Sequence, residues 1–333
     1  MICLGCLEER KTKQNYCVKC TKELFGGVSP KPLEFDKKEF YQARVEFAKR
    51  MSISGVQDKI SLKFENKKLI PVASQGEYIL KPAPFGEVGM SNPIDLPANE
   101  HLSMVISKKI FKIRTADCGL IRFSDGELAY ITKRFDYANA QEKFDQEDFA
   151  SVLGVTPAKD GADYKYSSKT YIDCVKALKA YTPASMINTL DFVKRIILNY
   201  LISNGDAHLK NFSLYSQPNK NDLMLTPNYD VLNTRYHIHN ESSDIAMELF
   251  DTNTKEFDTI GFLSHQDFKK FATFAGLSQN QFISIVKQAS NIEDIEKIVN
   301  RSYLSEEGKK FYIESYKDRL YKRLLYNPEM ICK

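Results

Sequence analysis

The stretch Ser203-Asn204-Gly205-Asp206-Ala207-His208-Leu209-Lys210-Asn211 holds the residue types best suited to chemistry, with Asp206 and Asn211 in a D-x4-N spacing. Phosphoryl-transfer enzymes of the kinase type use that spacing. The Asp accepts the proton of the attacking hydroxyl and the Asn coordinates a metal ion. Nineteen residues beyond Asn211, Asp230 lies in Pro-Asn-Tyr-Asp-Val-Leu. A second carboxylate there suits Mg²⁺, a hard cation that prefers oxygen ligands. Upstream, Lys81 follows the apolar run Tyr78-Ile79-Leu80. A lysine on a buried strand is costly unless it meets an anion, and a nucleotide phosphate is a suitable one. A strand-end lysine in solvent is the alternative. D-x4-N by itself occurs in many surface loops; the later Asp and the upstream Lys give it weight. His208 is read as an orienting group, with a satisfied structural histidine as the alternative. The loop Ser52-Ile53-Ser54-Gly55-Val56-Gln57 offers hydroxyls and backbone N–H groups that could wrap phosphate. It has one glycine and does not match G-x-G-x-x-G, so a plain turn stays open. The chain contains no G-x-S-x-G, H-E-x-x-H or G-x-x-x-x-G-K-[ST], which removes support for the common hydrolase, zincin and P-loop readings.

A second constellation lies at the start of the chain. Cys3 and Cys6 form one C-x2-C pair, and Cys17 and Cys20 form another. Each pair can direct two thiolates at one ion from a tight turn, and the two together complete a tetrahedral S4 zinc site. A reducing cytosol favours metal over disulfide for such a pattern. Four cysteines leave no open coordination position, so the expected role is structural. Four free thiols on a frayed terminus are the alternative. Cys118, Cys174 and Cys332 are scattered and read as ordinary residues.

These residues need a frame to bring them together. The chain has 333 residues, enough for two structural units. Hydrophobic residues make up 43% and charged residues 27%, a globular composition that argues against disorder. The formal net charge of +4 is too weak for a nucleic-acid binder. No apolar run reaches the ~18 residues of a membrane helix; the longest, Ile196 to Ile202, is interrupted by Asn199. The first residues carry charge where a signal peptide needs apolar length, so a cytosolic location is expected.

Alternation predicts strands over Lys59–Phe64, Leu69–Ala73 and Gly76–Pro82, and a hairpin over Cys118–Phe123 and Glu127–Phe135 across Ser124-Asp125-Gly126. Helical spacing predicts helices over Phe40–Met51 and Pro97–Ile110. Beyond Asp136 the pattern turns helical: Ser168–Tyr181, Met186–Ile202, Gln266–Ala275, Gln279–Ala289, Ile292–Ser302 and Glu306–Leu325, with short strands at Phe212–Tyr215 and Leu223–Thr226. The reading is an α+β chain. A metal segment over 1–25 precedes a β-rich lobe over 26–135 and a helical lobe over 136–333.

In order along the chain, SISGVQDKISL, YILKP, ANEHLSM, KRFD, QEDFASVLG, KY, NYLISNGDAHLKNFSL and PNYDVLNT resemble the HipA family of bacterial toxin serine/threonine kinases. The match runs from about Met51 to about Thr234. The resemblance implies a two-lobed protein-kinase-like fold with a small β-rich N-lobe and a mainly helical C-lobe, ATP and Mg²⁺ as cofactors, and phosphorylation of a protein serine. It implies Asp206 as the catalytic residue, Asn211 and Asp230 as Mg²⁺ ligands, and Lys81 as the ATP-phosphate lysine. Lys133 to Phe135 match the hinge that meets adenine, so Lys133 and Phe135 join Ser54, Gly55, Val56, Gln57 and His208 in the expected ATP site. The Ser52 to Gln57 loop matches the phosphate-binding loop on which members autophosphorylate, with Ser52 and Ser54 as the acceptors, an S-x-S arrangement as in HipT-like members. Longer members carry an N-terminal subdomain. Here only the cysteine-bearing stretch precedes Ser52, an arrangement similar to HipT-like proteins, whose missing piece is a separate small HipS-like polypeptide. The family implies aminoacyl-tRNA synthetases as a substrate class and a HipB-type antitoxin as partner; the weak net charge and the lack of a long apolar run lead us to expect no direct nucleic-acid or membrane contact. A lipid or small-molecule kinase on the same fold, and a non-catalytic zinc-bearing scaffold, are the competing readings.

Overall fold

The computed structural model describes residues 1–48, 58–84, 89–137, 142–218, 220, 222–238 and 244–326. The expected phosphate loop, Ser52 to Gln57, lies outside the described residues, as does Cys332.

The alternating segments pair into one antiparallel sheet. Its strands are β1 (Ile60–Glu65), β2 (Lys68–Val72), β3 (Tyr78–Pro82), β4 (Cys118–Arg122) and β5 (Leu128–Lys133), in the order β2-β1-β3-β5-β4. Asn66 and Lys67 both adopt left-handed backbone (φ 51° and 65°), the conformation a two-residue hairpin needs to match strand twist. The β4–β5 hairpin turns on Gly126 (φ 92°), closed by the Phe123 amide on the Glu127 carbonyl at 2.9 Å. In register, Lys81 of β3 faces Tyr130 of β5.

The helices are α1 (Val18–Phe25), α2 (Lys37–Ala48), α3 (Leu96–Lys109), the single turns α4 (Phe149–Val152), α5 (Pro157–Asp160) and α6 (Tyr164–Ser167), then α7 (Tyr171–Tyr181), α8 (Ser185–Leu201), α9 (Lys255–Ile260), α10 (His265–Phe274), α11 (Gln279–Ala289), α12 (Ile292–Asn300) and α13 (Glu306–Arg319), which ends in a π-helical turn at Leu320–Leu324. A second sheet of three short strands, β6 (Asp145–Asp148), β7 (Ser213–Ser216) and β8 (Met224–Leu225), lies among the helices in the order β6-β7-β8. The fold is thus α+β and two-lobed, as expected.

The departures from the sequence reading are local. Helix α2 begins at Lys37 because Asp36 and Glu39 exchange side-chain-to-amide bonds of 2.8 Å, a reciprocal cap that the apolar spacing does not reveal. Helix α1 was hidden inside the cysteine segment. Its N-cap is Cys17, whose sulfur accepts the Cys20 amide, and Gly26 closes it in the left-handed region. The turns α4 to α6 and strand β6 fall in a stretch too short and polar for periodicity to show. Strand β6 is defined by its register on β7, Asp148 opposite Ser213.

Helix α3 deserves separate description because it belongs to both lobes. Every residue from Leu96 to Ser107 is buried, the signature of a helix enclosed on all sides. Ala98, Leu102, Val105 and Ile106 pack into the core of the helical lobe. Its entry is fixed by Asp95, 4% exposed, whose Oδ2 accepts the Tyr236 hydroxyl at 2.9 Å and the Ser305 hydroxyl at 2.5 Å while Oδ1 accepts the Ser305 amide at 3.0 Å. Gly308 makes room, since a Cβ there would stand 2.9 Å from Asp95 Oδ2. Asp95→Ala would remove all three bonds, one of them from the buried Tyr236 hydroxyl, and is expected to lower unfolding free energy by about 2 kcal/mol. Chemical denaturation of the variant against wild type measures it.

Candidate active site

Strand β3 carries Lys81 into the space between its sheet and α3. The ammonium is 6% exposed and contacts Glu100 Oε1 of α3 at 2.7 Å and Asp230 Oδ1 at 2.6 Å. Asp230 is 149 positions away in the chain. Burial alone would lower the Lys81 pKa, but the Asp230 and Glu100 carboxylates overcome it and hold the ammonium above its ordinary value. Glu100 is 1% exposed, and burial pushes its carboxyl up to about 7 although Lys81 pulls it down. Burial also works to raise Asp230, but Lys81 outweighs it and keeps that group below the usual carboxylate range, so it stays ionised. Lys59, entering β1, adds a second cation to this field. Burial and the Lys81 charge lower its pKa.

The loop bearing Asp206 is held by the end of α8. Asn199, 2% exposed in the apolar run, accepts the Asn204 carboxamide at 3.0 Å on its side-chain oxygen. That bond fixes the Asn204 orientation, and the Asn204 oxygen then accepts the Asp206 amide at 3.1 Å. Thr234 takes the Gly205 amide at 2.8 Å, and the buried Tyr171 hydroxyl donates to the Ala207 carbonyl at 2.7 Å. Asn211 Nδ2 donates to the Asp206 carbonyl at 2.6 Å, which leaves Oδ1 as the atom a cation would take. The Asp206 side chain is 44% exposed, and its Oδ1 accepts a hydrogen bond from the Tyr166 hydroxyl of α6. His208 stands under it, Nε2 3.7 Å from Asp206 Oδ1, its ring edge-on to Tyr166 at 4.9 Å. Burial keeps His208 below its ordinary pKa, against the pull of Asp206 and Asp230.

Asp230 sits on left-handed backbone (φ 57°), which aims its carboxylate at Lys81. The chain after it is pinned to α3. Asn99 Nδ2 donates to the Asn233 carbonyl at 2.8 Å, and the Asn233 amide donates to Asn99 Oδ1 at 3.0 Å. Asn99 also meets His237 Nε2 at 2.9 Å. Lys133 ends β5, its amide donating to the Asp117 carbonyl at 2.8 Å. Phe135 is half-buried against Tyr229 and Tyr215, ring centroids 5.4 and 6.5 Å away.

The structure thus joins Lys81 to Asp230 and groups Asp206, His208 and Asn211, with Asp230 close enough to His208 for each to act on the other's charge. Sequence reasoning missed Glu100, Tyr166 and Lys59. Glu100 had a signal: a buried lysine needs an anion, and Glu100 is the single acid in the helix that follows. Tyr166 had a weak one, the Lys165-Tyr166 pair among the motifs that carry the resemblance, which gave it no role of its own. An ammonium for phosphate oxygens, an ionised carboxylate that is one third exposed, and a carboxamide oxygen together fit a nucleotide with a hard divalent cation. Glu100 Oε2 and His208 Nδ1 are buried with no hydrogen-bond partner, so the site keeps unspent polar capacity.

At the other end of the β-rich lobe, the sulfurs of Cys3, Cys6, Cys17 and Cys20 all lie within 4.8 Å of one another, with Cys6 and Cys17 at 3.8 Å. A tetrahedron of Zn–S bonds near 2.3 Å has edges of about 3.8 Å, so the set fits zinc. The Cys17 amide donates to Cys3 Sγ at 3.2 Å and the Cys20 amide to Cys17 Sγ at 3.3 Å, bonds that favour thiolates.

Residues 51–295 match the family model for the HipA-like C-terminal domain. The chain is 29% identical over 315 residues to a protein of Haemophilus influenzae named "Putative kinase", covering 90% of this chain and 89% of that one. A similarly named protein of Sinorhizobium fredii is 30% identical over 286 residues, 80% of this chain and 65% of that protein. Among solved structures, the fold resembles the Shewanella oneidensis toxin–antitoxin complex of HipA, HipB and operator DNA (TM-score 0.62, 20% identity, 90% of this chain and 73% of that one). It also resembles the Helicobacter pylori proinflammatory kinase CtkA (TM-score 0.51, 16% identity, 82% and 92%).

The raised Glu100 pKa has a defined sign. Between its ordinary value of 4.5 and about 7, the folded chain holds a proton at Glu100 that the unfolded chain releases. This residue's contribution to stability is complete below the lower value and is lost as pH rises through the upper one. Glu100→Gln removes that titration. Urea unfolding at pH 5 and pH 8 should show the wild type losing up to about 3 kcal/mol relative to Glu100→Gln across the interval.

Proposed function

The chain belongs to the family of the HipA-like C-terminal domain, and we propose that it is an ATP-dependent protein serine/threonine kinase of HipA type. The observation that carries this reading is the direct meeting of Lys81 with both Glu100 and Asp230 beside the Asp206 loop. ATP supplies the transferable phosphoryl group and Mg²⁺ offsets its negative charge. Lys81 binds phosphate oxygens, held in register by Glu100. Asn211 and Asp230 hold the metal. Asp206 accepts the proton of the incoming hydroxyl, its carboxylate oriented by Tyr166 and its backbone by Asn204. Positioning and preset charge supply most of the rate.

Lys133, Phe135, Ser54, Gly55, Val56 and Gln57 complete the nucleotide site in this reading, and Zn²⁺ is a structural metal. The half-exposed Asp206 carboxylate is open to a macromolecular hydroxyl, which favours a protein acceptor over an enclosed metabolite. By likeness to the family, the acceptor class is an aminoacyl-tRNA synthetase and the partner a HipB-type antitoxin, with a HipS-like small protein as a further candidate partner.

Asp206→Asn keeps the shape of the side chain and removes its capacity to take a proton. Phosphoryl transfer from labelled ATP to lysate proteins should fall by at least about a hundredfold, while ATP affinity, read by calorimetry, stays within about twofold of wild type. Transfer at the wild-type rate would refute the assignment. Label entering a metabolite or lipid extract instead would identify a small-molecule or lipid kinase. Wild type that binds no ATP would identify a scaffold.

The same incubation tests self-modification. A phosphoserine at Ser52 or Ser54 carries about −1.5 to −2 charge and repels the phosphates of ATP. Mass spectrometry should find one of these serines modified in wild type and neither in Asp206→Asn, and the modified chain should bind ATP at least about tenfold more weakly.

A further inference from the structure

Residues 1–25 are too few to fold on an apolar core of their own, since chains below about 40 residues need a metal, disulfides or a neighbour. This segment has a cysteine cluster and a neighbour on each side. Towards the β-rich lobe, the Leu4 carbonyl accepts the Leu120 amide of β4 at 2.8 Å, and the buried Tyr16 hydroxyl donates to the Leu120 carbonyl at 2.5 Å. The segment therefore covers the open edge of the sheet, where Gly119 allows the approach: a Cβ there would meet the Leu4 carbonyl at 3.0 Å. Towards α3, the Gly5 carbonyl accepts His101 Nε2 at 3.0 Å. His101 is 1% exposed, and burial lowers its pKa to about 4, so it is the neutral ring that donates. Towards the helical lobe, the Tyr303 hydroxyl donates to the Ile2 carbonyl at 2.8 Å. Glu8 joins the last two, paired at once with Lys109 at the end of α3 and with Arg301 beyond α12, the latter at 2.9 Å. Leu4 lies in the core of the β-rich lobe and Leu7 in that of the helical lobe.

His101 is the next residue after Glu100. We propose that Cys3, Cys6, Cys17 and Cys20 hold one Zn²⁺, and that the metal makes residues 1–25 a brace between the lobes that fixes α3, and so keeps Glu100 on Lys81. The backbone carbonyls of Ile2, Leu4 and Gly5 that grip the two lobes flank or lie within the first cysteine pair. Their positions are set by the metal-closed turn. Without it, their register rests on a few local backbone bonds, such as the Cys3 amide on the Glu8 carbonyl at 3.0 Å and the Leu4 amide on the Asn15 carbonyl at 2.9 Å; these are too few for a segment this short, and α3 loses the partner of its buried histidine.

The test uses the full chain. Elemental analysis should give one zinc per chain as purified. Hydrogen exchange is then compared before and after zinc is stripped with a chelator. The amides of α3 and β4 should exchange roughly tenfold faster or more in the metal-free chain, and addition of zinc should restore them. Because loss of metal could unfold the whole chain, a Glu8→Gln/Tyr303→Phe variant keeps every cysteine and loosens only the grip on α3 and the helical lobe. It should retain one zinc and still show faster exchange in α3. Absence of stoichiometric zinc, α3 exchange unchanged by stripping, or wild-type α3 protection in the double variant would each overturn the proposal. Its effect on ATP rests on the kinase reading, and the arms separate the two. Zinc-dependent protection of α3 in a chain that transfers no phosphoryl group leaves the brace standing and removes the kinase.

Discussion

One buried ammonium decides the arrangement of everything else. Lys81 leaves water only because Glu100 and Asp230 meet it, one from a helix and one from a loop far along the chain. Taking Lys81 and Glu100 out of water costs several kcal/mol per ion, and attraction within the cluster offsets this only when the geometry is good. The cluster is a poor way to gain stability and a strong way to specify position. A sheet, a helix and a loop of the helical lobe must stand in one relation for the charges to balance. Asp95, just before this helix, and Asn99, in its first turn, then hold it to the helical lobe by hydrogen bonds, so the helix is fixed at its entry and along its first turn as well as at its charged contact.

The Asp206 loop is governed by a second, quieter constraint. A polar residue inside an apolar helix is costly unless bonded. Asn199 meets that cost through Asn204, and the same bond orients the amide that receives Asp206. The position of the Asp206 carboxylate is thus inherited from the packed core of α8 rather than from the loop. Tyr171 and Thr234 repeat the device from two other directions. A site built this way is preorganised by its surroundings.

Much of this was legible before any coordinates. The five strands were marked by short apolar runs bounded by turn residues, several of them buried at three consecutive positions, and the turn residues Asn66 and Gly126 fell where left-handed backbone was required. The long helices showed because each buries a stripe. Lys81, Asp206, Asn211 and Asp230 were recognisable from type, spacing and order. What was not legible arises from contacts distant in sequence. Glu100 has meaning only when Lys81 is opposite it. Tyr166 has meaning only when α6 is folded over Asp206. Helix α1 escaped because its cap is a cysteine, a residue read for its sulfur chemistry and not for its place at a helix start. The docking of the first 25 residues on both lobes is likewise invisible in composition, since it runs mainly through backbone carbonyls.

The left-handed backbone at Asp230 has a consequence for how this carboxylate can vary. Non-glycine residues enter that region at a cost, and aspartate and asparagine do so most readily. An amide at this place would keep the turn and discard only the charge. Alanine would disturb turn and charge together, and a β-branched residue would be a steric misfit whatever its polarity. The spectrum of tolerated replacements is therefore narrowed by main-chain shape before ligand chemistry is consulted, and two unrelated demands converge on the same short, branched-at-γ acid.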